Sequence, residues 1–470
     1  MRTGYLHVPD TKRWAPYQYS EGVLVVYTAN NLDIDHVVNV PKVSFQCNHK
    51  YLVGVETSSN NPIVFFVDDV PQGMPWSSSS CKVYFYFILD DENYWFSGIS
   101  FYCKELDFFY DSVHTLSIDV QEPFRFLITT KNHKETVKSF DFMHDGVLVN
   151  GSVVVSCSYK PHSPTPLELK TTINLIFPET DDFEFIMNLY TVAYKFICFI
   201  AARKNVFFDV IKLHQKKVSI KTKEGYTKSI SLCIDENNGF VEDKQALEKT
   251  LPYSLIENHL STLWQFISDN KLYAEHLPEN SKDSSYTIAR MVLIMAAFEW
   301  NANEFLEITT TSVARTEVKN DILSTLESLS NSYNSKKKGY LKSFIKQIEL
   351  YDISLSGKIK FALHKYENIL FPSINYIYGI NKEPLKSDYK KKIAERVQSH
   401  RNAFAHGDIQ IEIDSNIILD LYVLQWTIYC IILEEIGFSN LEIKKAVHYF
   451  RNGNVHIVQS ISEHYDNFQK

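Results

Sequence analysis

The sequence predicts an α+β protein in which a β-rich N-terminal domain precedes an all-α C-terminal bundle. Between Gly22 and Phe177, short runs rich in Val, Ile, Phe and Tyr alternate with turn residues, which is typical of a β-sandwich or barrel-like domain. Aromatic residues make up 14% of the chain, and they suit the pleated, half-buried surfaces of sheets. From Tyr253 onward, apolar residues recur at helical spacing, which indicates a bundle. We therefore expect domains at residues 1–240 and 250–470.

Turn and capping residues delimit the elements of the first domain. The dipeptides Asp145-Gly146 and Asn150-Gly151 predict tight turns between strands. A helix is expected from about residue 182 to residue 203, because acidic residues occupy its first turn and favour a helix N-terminus. The runs VFFDVIKLH and SISLCID predict two further strands, and the polar stretch 235–249 predicts a linker or loop.

Helices are predicted throughout the second half of the chain. In one of them, a single apolar face should contain Ile288, Met291, Val292, Met295 and Phe298, which recur at helical spacing. The predicted helices span residues 253–269, 284–307, 313–333, 338–350, 355–370, 387–406, 415–436 and 439–450.

Composition and motifs exclude several classes of function. The net charge of -8 argues against a general nucleic-acid coat protein, although it permits a local basic site. The 7 cysteines include no CxxC pair, so neither a disulfide framework nor a zinc ribbon is expected, and the chain fits the reducing cytoplasm. The sequence contains no GxxxxGKS/T loop, no GxGxxG and no HExxH. We expect neither a metal nor a cofactor.

Two apolar runs are long enough to be compared with membrane spans. Residues 185–202 include Asn188 and Lys195, and residues 417–433 include Asp420. Because a spanning helix requires about 20 apolar residues with few charges, both runs are predicted to be buried core helices, and no membrane association is expected.

The most informative segment is HRNAFAHGD, residues 400–408, at the end of a predicted helix. Ser387 is the predicted N-cap of this helix, and Gly407 stands where a C-terminal glycine is common. On a helical wheel, Asn402 and His406 lie on the side opposite the apolar stripe, and Arg401 lies at its margin. The stripe consists of Ile393, Val397, His400 and Phe404. His400 is therefore predicted to be a satisfied core histidine.

Arg401, Asn402 and His406 at the end of a helix, followed by Gly407 and a long apolar helix, resemble the RNxxxH motif of the HEPN superfamily of small helical bundles. A β-rich half joined to such a domain further resembles the ApeA-type anti-phage proteins. The motif resemblance covers only residues 401–406. The architectural resemblance covers most of the chain but is much less specific.

The HEPN resemblance implies a metal-independent endoribonuclease in which paired domains bring two motifs face to face. It implies that His406 moves a proton when a 2′-hydroxyl attacks the adjacent phosphate, a role that suits histidine because its ordinary pKa lies near neutrality. Arg401 would hold the phosphate through its planar guanidinium. Asn402 would orient His406 or bind the phosphate. The products would be a 2′,3′-cyclic phosphate and a 5′-hydroxyl.

Two further sets of residues enter by the same analogy. HEPN bundles tend to have a polar or acidic residue on an earlier helix that contacts the motif arginine, and Glu299 is the candidate for this position. The run Lys390, Lys391 and Lys392 begins about three turns before Arg401 and is the candidate RNA-binding surface. The alternatives are an ordinary ion pair at Glu299 and a solvated face at the lysines.

The resemblance implies that the protein acts in the cytoplasm in abortive defence against phage and responds to a phage-derived trigger. It implies an RNA substrate, and transfer RNA is one attractive target. It also implies a homodimer or larger homo-oligomer. The alternative is a non-catalytic HEPN-like module that binds RNA or protein, or an oligomerisation scaffold. In the simplest alternative, residues 401–406 are only a solvated helix end. A second copy of the pattern, RNGNVH at residues 451–456, has a glycine in its middle and is predicted to be a loop.

Overall fold

The computed structural model of the protein describes residues 1–7, 13–27, 32–33, 51–67, 79–89, 95–111, 116–121, 125–130, 137–159, 162, 167–218, 225–234, 242–281, 286–308, 313–333, 336–349, 354–377, 389–407, 413 and 415–452. The chain divides into two compact units. The first comprises Met1–Lys271 with Pro278–Ser281, and the second comprises Leu272–Leu277 with Lys282–Lys470. The first is rich in strands and the second is helical, so the predicted α+β class is confirmed.

An antiparallel β-barrel of six strands forms the beginning of the first unit. Alternate residues of its strands, such as Leu24 and Val26, belong to one buried apolar cluster, as the two-residue period of a strand requires. Around the barrel the strands are β7 (Ser79–Ile88), β3 (Val23–Val26), β2 (Arg13–Ser20), β1 (Arg2–His7), β5 (Tyr51–Glu56) and β6 (Pro62–Val67), and β6 pairs with β7 to close it. The short strand β4 (Leu32–Asp33) pairs with β2.

The barrel continues into an open antiparallel sheet because β7 is long enough to pair with β3 at its start and with β15 further along. From β7 the sheet runs through β15 (Gly225–Ile234), β14 (Val210–Val218), β8 (Phe96–Tyr102), β13 (Leu167–Thr180) and β12 (Val147–Tyr159) to β11 (Lys138–His144). Strands β9 (Leu116–Gln121) and β10 (Arg125–Thr130) form a separate hairpin. The two strands predicted from VFFDVIKLH and SISLCID are β14 and β15.

The first unit also contains helices, of which Lys104–Phe109 packs on β13 and Leu260–Ser268 packs on β11. They are α1 (Lys104–Phe109), α2 (Phe183–Ala201), α3 (Lys244–Leu247), α4 (Tyr253–Ile256) and α5 (Leu260–Ser268). The predicted helix with an acidic start is α2, where the Asp182 side chain accepts hydrogen bonds from the backbone N–H groups of Glu184 (2.9 Å) and Phe185 (3.1 Å). The Phe183 ring then packs edge-on against Phe87 of the barrel, with 5.6 Å between centroids.

One of the two predicted tight turns is confirmed and the other is wrong. Asp145 and Gly146 join β11 to β12 with φ values of 48° and 78°, as a two-residue hairpin turn requires. Asn150 and Gly151 instead lie inside β12. Glycine is needed there because a Cβ atom at Gly151 would lie 2.2 Å from the ring of Phe140.

Helix α5 covers the edge of the sheet at β11. Backbone N–H groups of Asp141 and Met143 donate to Ser261 Oγ (3.1 Å) and Gln265 Oε1 (2.7 Å). The fully buried ring of Trp264 stacks on Phe140, with centroids 5.1 Å apart. An uncovered strand edge can pair with a strand of another molecule, and α5 covers the edge of this sheet. Helix α5 is therefore part of the first unit, whereas the sequence predicted it in the second domain.

The chain between β15 and α4 is also part of the first unit. The side chain of Glu242 is buried and forms an ion pair with Arg203 at 3.3 Å, and α3 follows at once. Residues 242–249 of the predicted linker therefore belong to the first unit, with Ala246 and Leu247 buried, while residues 235–241 lie outside the described residues. The boundary between the two compact units falls later in the chain than the predicted boundary between residues 240 and 250.

The helices of the second unit follow the predicted order. They are α6 (Ile288–Phe305), α7 (Val313–Ser332), α8 (Lys336–Glu349), α9 (Leu355–Lys365), α10 (Glu367–Ile377), α11 (Tyr389–Ala405), α12 (Ser415–Glu435) and α13 (Asn440–Asn452). The predicted helix 355–370 is two helices, because the chain turns at Tyr366. In α6, Met291, Met295 and Phe298 are buried as predicted, whereas Val292 lies off this face and is exposed.

Two of the described helices, Phe183–Ala201 and Asn416–Glu435, are long and apolar enough to cross a membrane by length and composition. Within their most apolar windows, 61% and 67% of the residues are buried inside the protein. Both helices therefore behave as core helices, which is what the polar residues in their sequences predict.

Candidate functional site

The candidate site is at the C-terminal end of α11. Ile393 and Val397 are buried and anchor the helix in the second unit, as the wheel predicts. His400 and Phe404, further along the same stripe, are only half-buried. His400 Nδ1 lies 2.9 Å from the backbone oxygen of Arg396 and donates to it if that nitrogen bears the proton. The prediction that the His400 ring has a hydrogen-bond partner is thus confirmed. The prediction that His400 lies in the core is wrong, because the apolar stripe approaches the surface at this position.

Gly407 ends the helix as the sequence predicts. Its φ of 77° lies in the left-handed region, which glycine adopts without strain. Just before it, the His406 N–H donates to the backbone oxygens of Asn402 (3.0 Å) and Ala403 (3.1 Å), so the last turn remains helical up to the candidate histidine. The predicted N-cap, Ser387, lies outside the described residues.

Arg401, Asn402 and His406 are all exposed at this helix end. Within the described part of the chain, the Asn402 and His406 side chains make no hydrogen bond with another residue, so Asn402 does not orient His406 in this structure. The three side chains are therefore accessible to solvent.

Glu299 of α6 reaches the arginine of this site. Its Oε2 lies 3.5 Å from Arg401 Nη2, at the long end of an ion pair. The two side chains retain 32% and 46% of their exposure, so solvent screens the attraction and the pair contributes little to stability. The contact expected between Glu299 and the motif arginine is present, and it places a carboxylate beside the Arg401 guanidinium.

A stronger contact lies less than two turns before Arg401. Arg396 of α11 donates to both carboxylate oxygens of Asp420 of α12, with both distances 2.7 Å. The Asp420 side chain is fully buried. A buried carboxylate is retained at low cost only when it is fully paired, so this two-point contact fixes α11 against α12. Its sequence signal is that Asp420 is the single charged residue in the apolar run 417–433.

Helix α9 contributes two further polar contacts to the same region. The backbone N–H of Ser356, in the first turn of α9, donates to Gln398 Oε1 at 2.8 Å. The buried ammonium of Lys358 donates to Asn303 Oδ1 of α6 at 2.6 Å. Together with the Arg401 contact, these bonds join α6, α9 and α11, and no local sequence pattern predicted them.

The three lysines at the start of α11 differ in their surroundings. Lys390 forms an ion pair with Glu367 of α10 at 2.7 Å, and its side chain is only 15% exposed. This lysine is occupied within the protein, which favours a structural role for it. Lys391 and Lys392 are exposed, and helical geometry puts Lys391 within about 20° of Asn402 around the axis. Of the predicted RNA-binding run, Lys391 and Lys392 are thus the residues whose side chains are exposed to solvent.

The second RNxxxH pattern begins inside a helix. Helix α13 extends to Asn452, so Arg451 and Asn452 are helical and the prediction of a loop is wrong for these two residues. His456 lies outside the described residues. Elsewhere in the described part of the chain, no three His, Cys, Asp or Glu side chains are grouped as metal ligands.

We compared the chain with protein-family models, with curated proteins and with solved structures, and none of the three comparisons found a match. The resemblance to HEPN ribonucleases therefore stands on Arg401, Asn402 and His406, on their position at a helix end, and on the contact with Glu299.

Proposed function

We propose that the protein is a metal-independent endoribonuclease whose active site comprises Arg401, Asn402 and His406, with Glu299 as the residue that orients Arg401. The observation that favours this proposal is the ion pair between Glu299 and Arg401, next to a histidine at an exposed helix end. A solvated helix end needs no acidic residue from another helix aimed at its arginine.

The proposed chemistry is an internal transfer at phosphorus. The 2′-oxygen forms a bond to the adjacent phosphorus, the bond from phosphorus to the 5′-oxygen breaks, and a 2′,3′-cyclic phosphate and a 5′-hydroxyl result. His406 takes the proton of the 2′-hydroxyl or supplies one to the leaving oxygen. Arg401 binds the non-bridging oxygens, where negative charge increases in the transition state. Asn402 hydrogen-bonds the phosphate, since its side chain does not contact His406.

Each cleavage requires a base and an acid, whereas the motif at the end of α11 has one exposed histidine. A second copy of the chain that presents the same motif supplies the other group, as the HEPN resemblance implies. Exposed Lys391 and Lys392 provide positive charge for the RNA backbone in a chain whose net charge is -8. By the ApeA-type resemblance, the β-rich unit receives a phage-derived signal. The enzyme then cleaves host or phage RNA in the cytoplasm, and this cleavage stops the growth of the infected cell. Transfer RNA is the first substrate to examine.

The test uses the two RNxxxH patterns of the chain as matched positions. Purified wild type, His406→Ala and His456→Ala are incubated with total cellular RNA in a chelator, and new 3′ ends are sequenced after ligation that requires a cyclic phosphate. Because the pure enzyme is expected to await a trigger, the same variants are assayed in bacteria challenged with phage. We expect cyclic-phosphate ends from wild type and His456→Ala, and a loss of at least about 100-fold in His406→Ala.

If folded His406→Ala cleaves as wild type does, the proposal is wrong. If only His456→Ala loses RNA cleavage, the active site is at the second RNxxxH pattern, residues 451–456. RNA binding that depends on Arg401 in a protein that never cleaves would favour the non-catalytic binding module, and full function without both Arg401 and His406 would favour a scaffold.

A further inference from the structure

Helices α7 and α8 form a hairpin with an exposed apolar face. Within the described residues, these two helices pack chiefly on each other. Leu323 and Leu326 of α7 and Leu341 and Ile345 of α8 are half-buried, which assigns them to the seam between the two helices. Beside this seam, large apolar side chains remain between 41% and 68% exposed; they are Val318, Ile322 and Leu329 of α7 and Tyr340 and Phe344 of α8.

The exposed side chains occupy one side of the hairpin. At 100° per residue, Ile322 lies about 60–80° around α7 from the direction midway between Leu323 and Leu326. Phe344 lies about the same angle, in the same rotational sense, around α8 from the direction midway between Leu341 and Ile345. Because a link of three residues joins the helices and makes them antiparallel, equal rotations point to the same face. The five side chains therefore form a single apolar surface, called here the hairpin face.

The area of the hairpin face matches what a small specific interface requires. If a full side chain of this size has about 200 Å² of surface, the exposed fractions amount to roughly 500 Å² of apolar area, at the upper end of what monomeric proteins leave uncovered. Two such faces together would bury on the order of 1,000 Å², about the minimum for a stable biological interface.

The charges of the two helices favour a second copy of the chain as the occupant. Helix α8 has five lysines and one glutamate, whereas α7 has three acidic and two basic residues. A two-fold axis parallel to the helices stacks two hairpins face to face, with α7 of one copy over α8 of the other and antiparallel to it. This arrangement separates the two lysine-rich helices, places each beside the helix of opposite net charge, and completes a four-helix bundle.

We infer that the hairpin face is a self-association surface, through which two copies of the chain form a four-helix bundle from their α7–α8 hairpins. The inference does not depend on the ribonuclease proposal, because none of the residues of the hairpin face belongs to the candidate site.

The test measures the mass of the full-length protein by sedimentation equilibrium over a wide concentration range. Variants Ile322→Lys and Phe344→Lys place a charge on the hairpin face and keep good helix formers in exposed positions. Leu441→Lys on α13 is the matched control, because Leu441 is 63% exposed and lies outside the hairpin. His406→Ala separates this test from the proposed activity.

We expect wild type, Leu441→Lys and His406→Ala to dimerise alike. The dissociation constant should rise at least 10-fold in each hairpin variant, and circular dichroism should show unchanged helix content. A wild type that stays monomeric at every concentration, or hairpin variants that dimerise as wild type does, overturns the inference. A monomer whose hairpin variants lose binding to anionic vesicles would identify a membrane surface as the occupant instead.

Discussion

Glu299 Oε2 and Arg401 Nη2 lie 3.5 Å apart although the two residues are 102 positions apart in the chain. The pair joins α6 to the last turn of α11 and is half-exposed. A contact of this kind stabilises a fold by less than about 1 kcal/mol. In the proposed site, its effect would be on direction, because a carboxylate beside Arg401 would restrict where the guanidinium points.

Arg401→Ala should therefore separate activity from stability. In the proposed ribonuclease, removal of the guanidinium would deprive the transition state of its main charge partner, and RNA cleavage should fall by at least about 100-fold. The free energy of unfolding should change by less than about 1 kcal/mol, because the pair is screened by solvent. Initial cleavage rates and urea unfolding followed by circular dichroism measure the two quantities. Unchanged cleavage in the folded variant would remove Arg401 from the site.

Glu299→Gln tests the orienting role by itself. The variant retains the size and a hydrogen-bond acceptor but loses the charge, so Arg401 should remain present and become less restricted. We expect a smaller loss of cleavage, on the order of 10-fold, with Glu299→Asp intermediate. Glu304→Gln, a change at an exposed acid of the same helix, is the control. Equal losses in the two glutamine variants would show that general charge near α6 matters and that the specific pair does not.

Asp420→Asn should mainly affect stability. The change removes the charge from a fully buried side chain and leaves Arg396 with a neutral partner, which should lower the free energy of unfolding by about 3 kcal/mol. Glu395→Gln is the control, because Glu395 forms a long, exposed ion pair with Lys360 at 3.8 Å and should cost less than about 1 kcal/mol. Urea unfolding of both variants gives the comparison. Equal small effects would mean that the buried contact is not what fixes α11 to α12.

Local sequence patterns predicted the helices and turns of this protein more accurately than they predicted the contacts between distant residues. The glycine end at Gly407 and the capped start of α2 depend on a few neighbouring residues, and both were predicted correctly. The contact between Glu299 and Arg401 was expected by analogy, since no spacing in the sequence relates two residues so far apart. Lys390 shows the opposite case. Its partner Glu367 is on another helix, so a run of three lysines could not reveal that one of them is occupied.

The errors at Asn150-Gly151 and α5 have the same cause. An Asn-Gly pair favours a tight turn, yet the ring of Phe140 on the adjacent strand β11 takes the space that Gly151 leaves. Helix α5 has the apolar spacing of a bundle helix, yet its Ser261 and Gln265 satisfy the backbone of a strand edge more than 100 residues earlier. In both cases a tertiary contact decides between structures that the local sequence permits equally.

Acid should destabilise the β-rich unit in part through His214. Burial, and then the nearby Lys212, hold the pKa of His214 below its ordinary value of 6.5. The unfolded chain therefore binds a proton at a higher pH than the folded one, so the contribution of His214 to stability is present above pH 6.5 and is lost as pH falls through the folded pKa. The free energy of unfolding should decrease below about pH 6.5 and decrease less steeply in His214→Gln. The check is urea unfolding at a series of pH values, and identical slopes in the two proteins would contradict the assignment.

The limits of the first unit can be tested with two fragments of the chain. Residues 1–281 include α5, whose Trp264 stacks on Phe140 and whose Gln265 binds the β11 backbone; residues 1–240 lack this helix and expose the sheet edge. Removal of a buried tryptophan alone costs about 3–5 kcal/mol, and an uncovered edge promotes strand pairing between molecules. We expect fragment 1–281 to be monomeric and to unfold cooperatively, and fragment 1–240 to aggregate.

Two substitutions in fragment 1–281 provide the control. Trp264→Ala should reproduce much of the loss of stability, whereas Thr262→Ala, at an exposed position of the same helix, should not. If fragment 1–240 folds as stably as fragment 1–281, α5 is dispensable and the earlier boundary is the correct one.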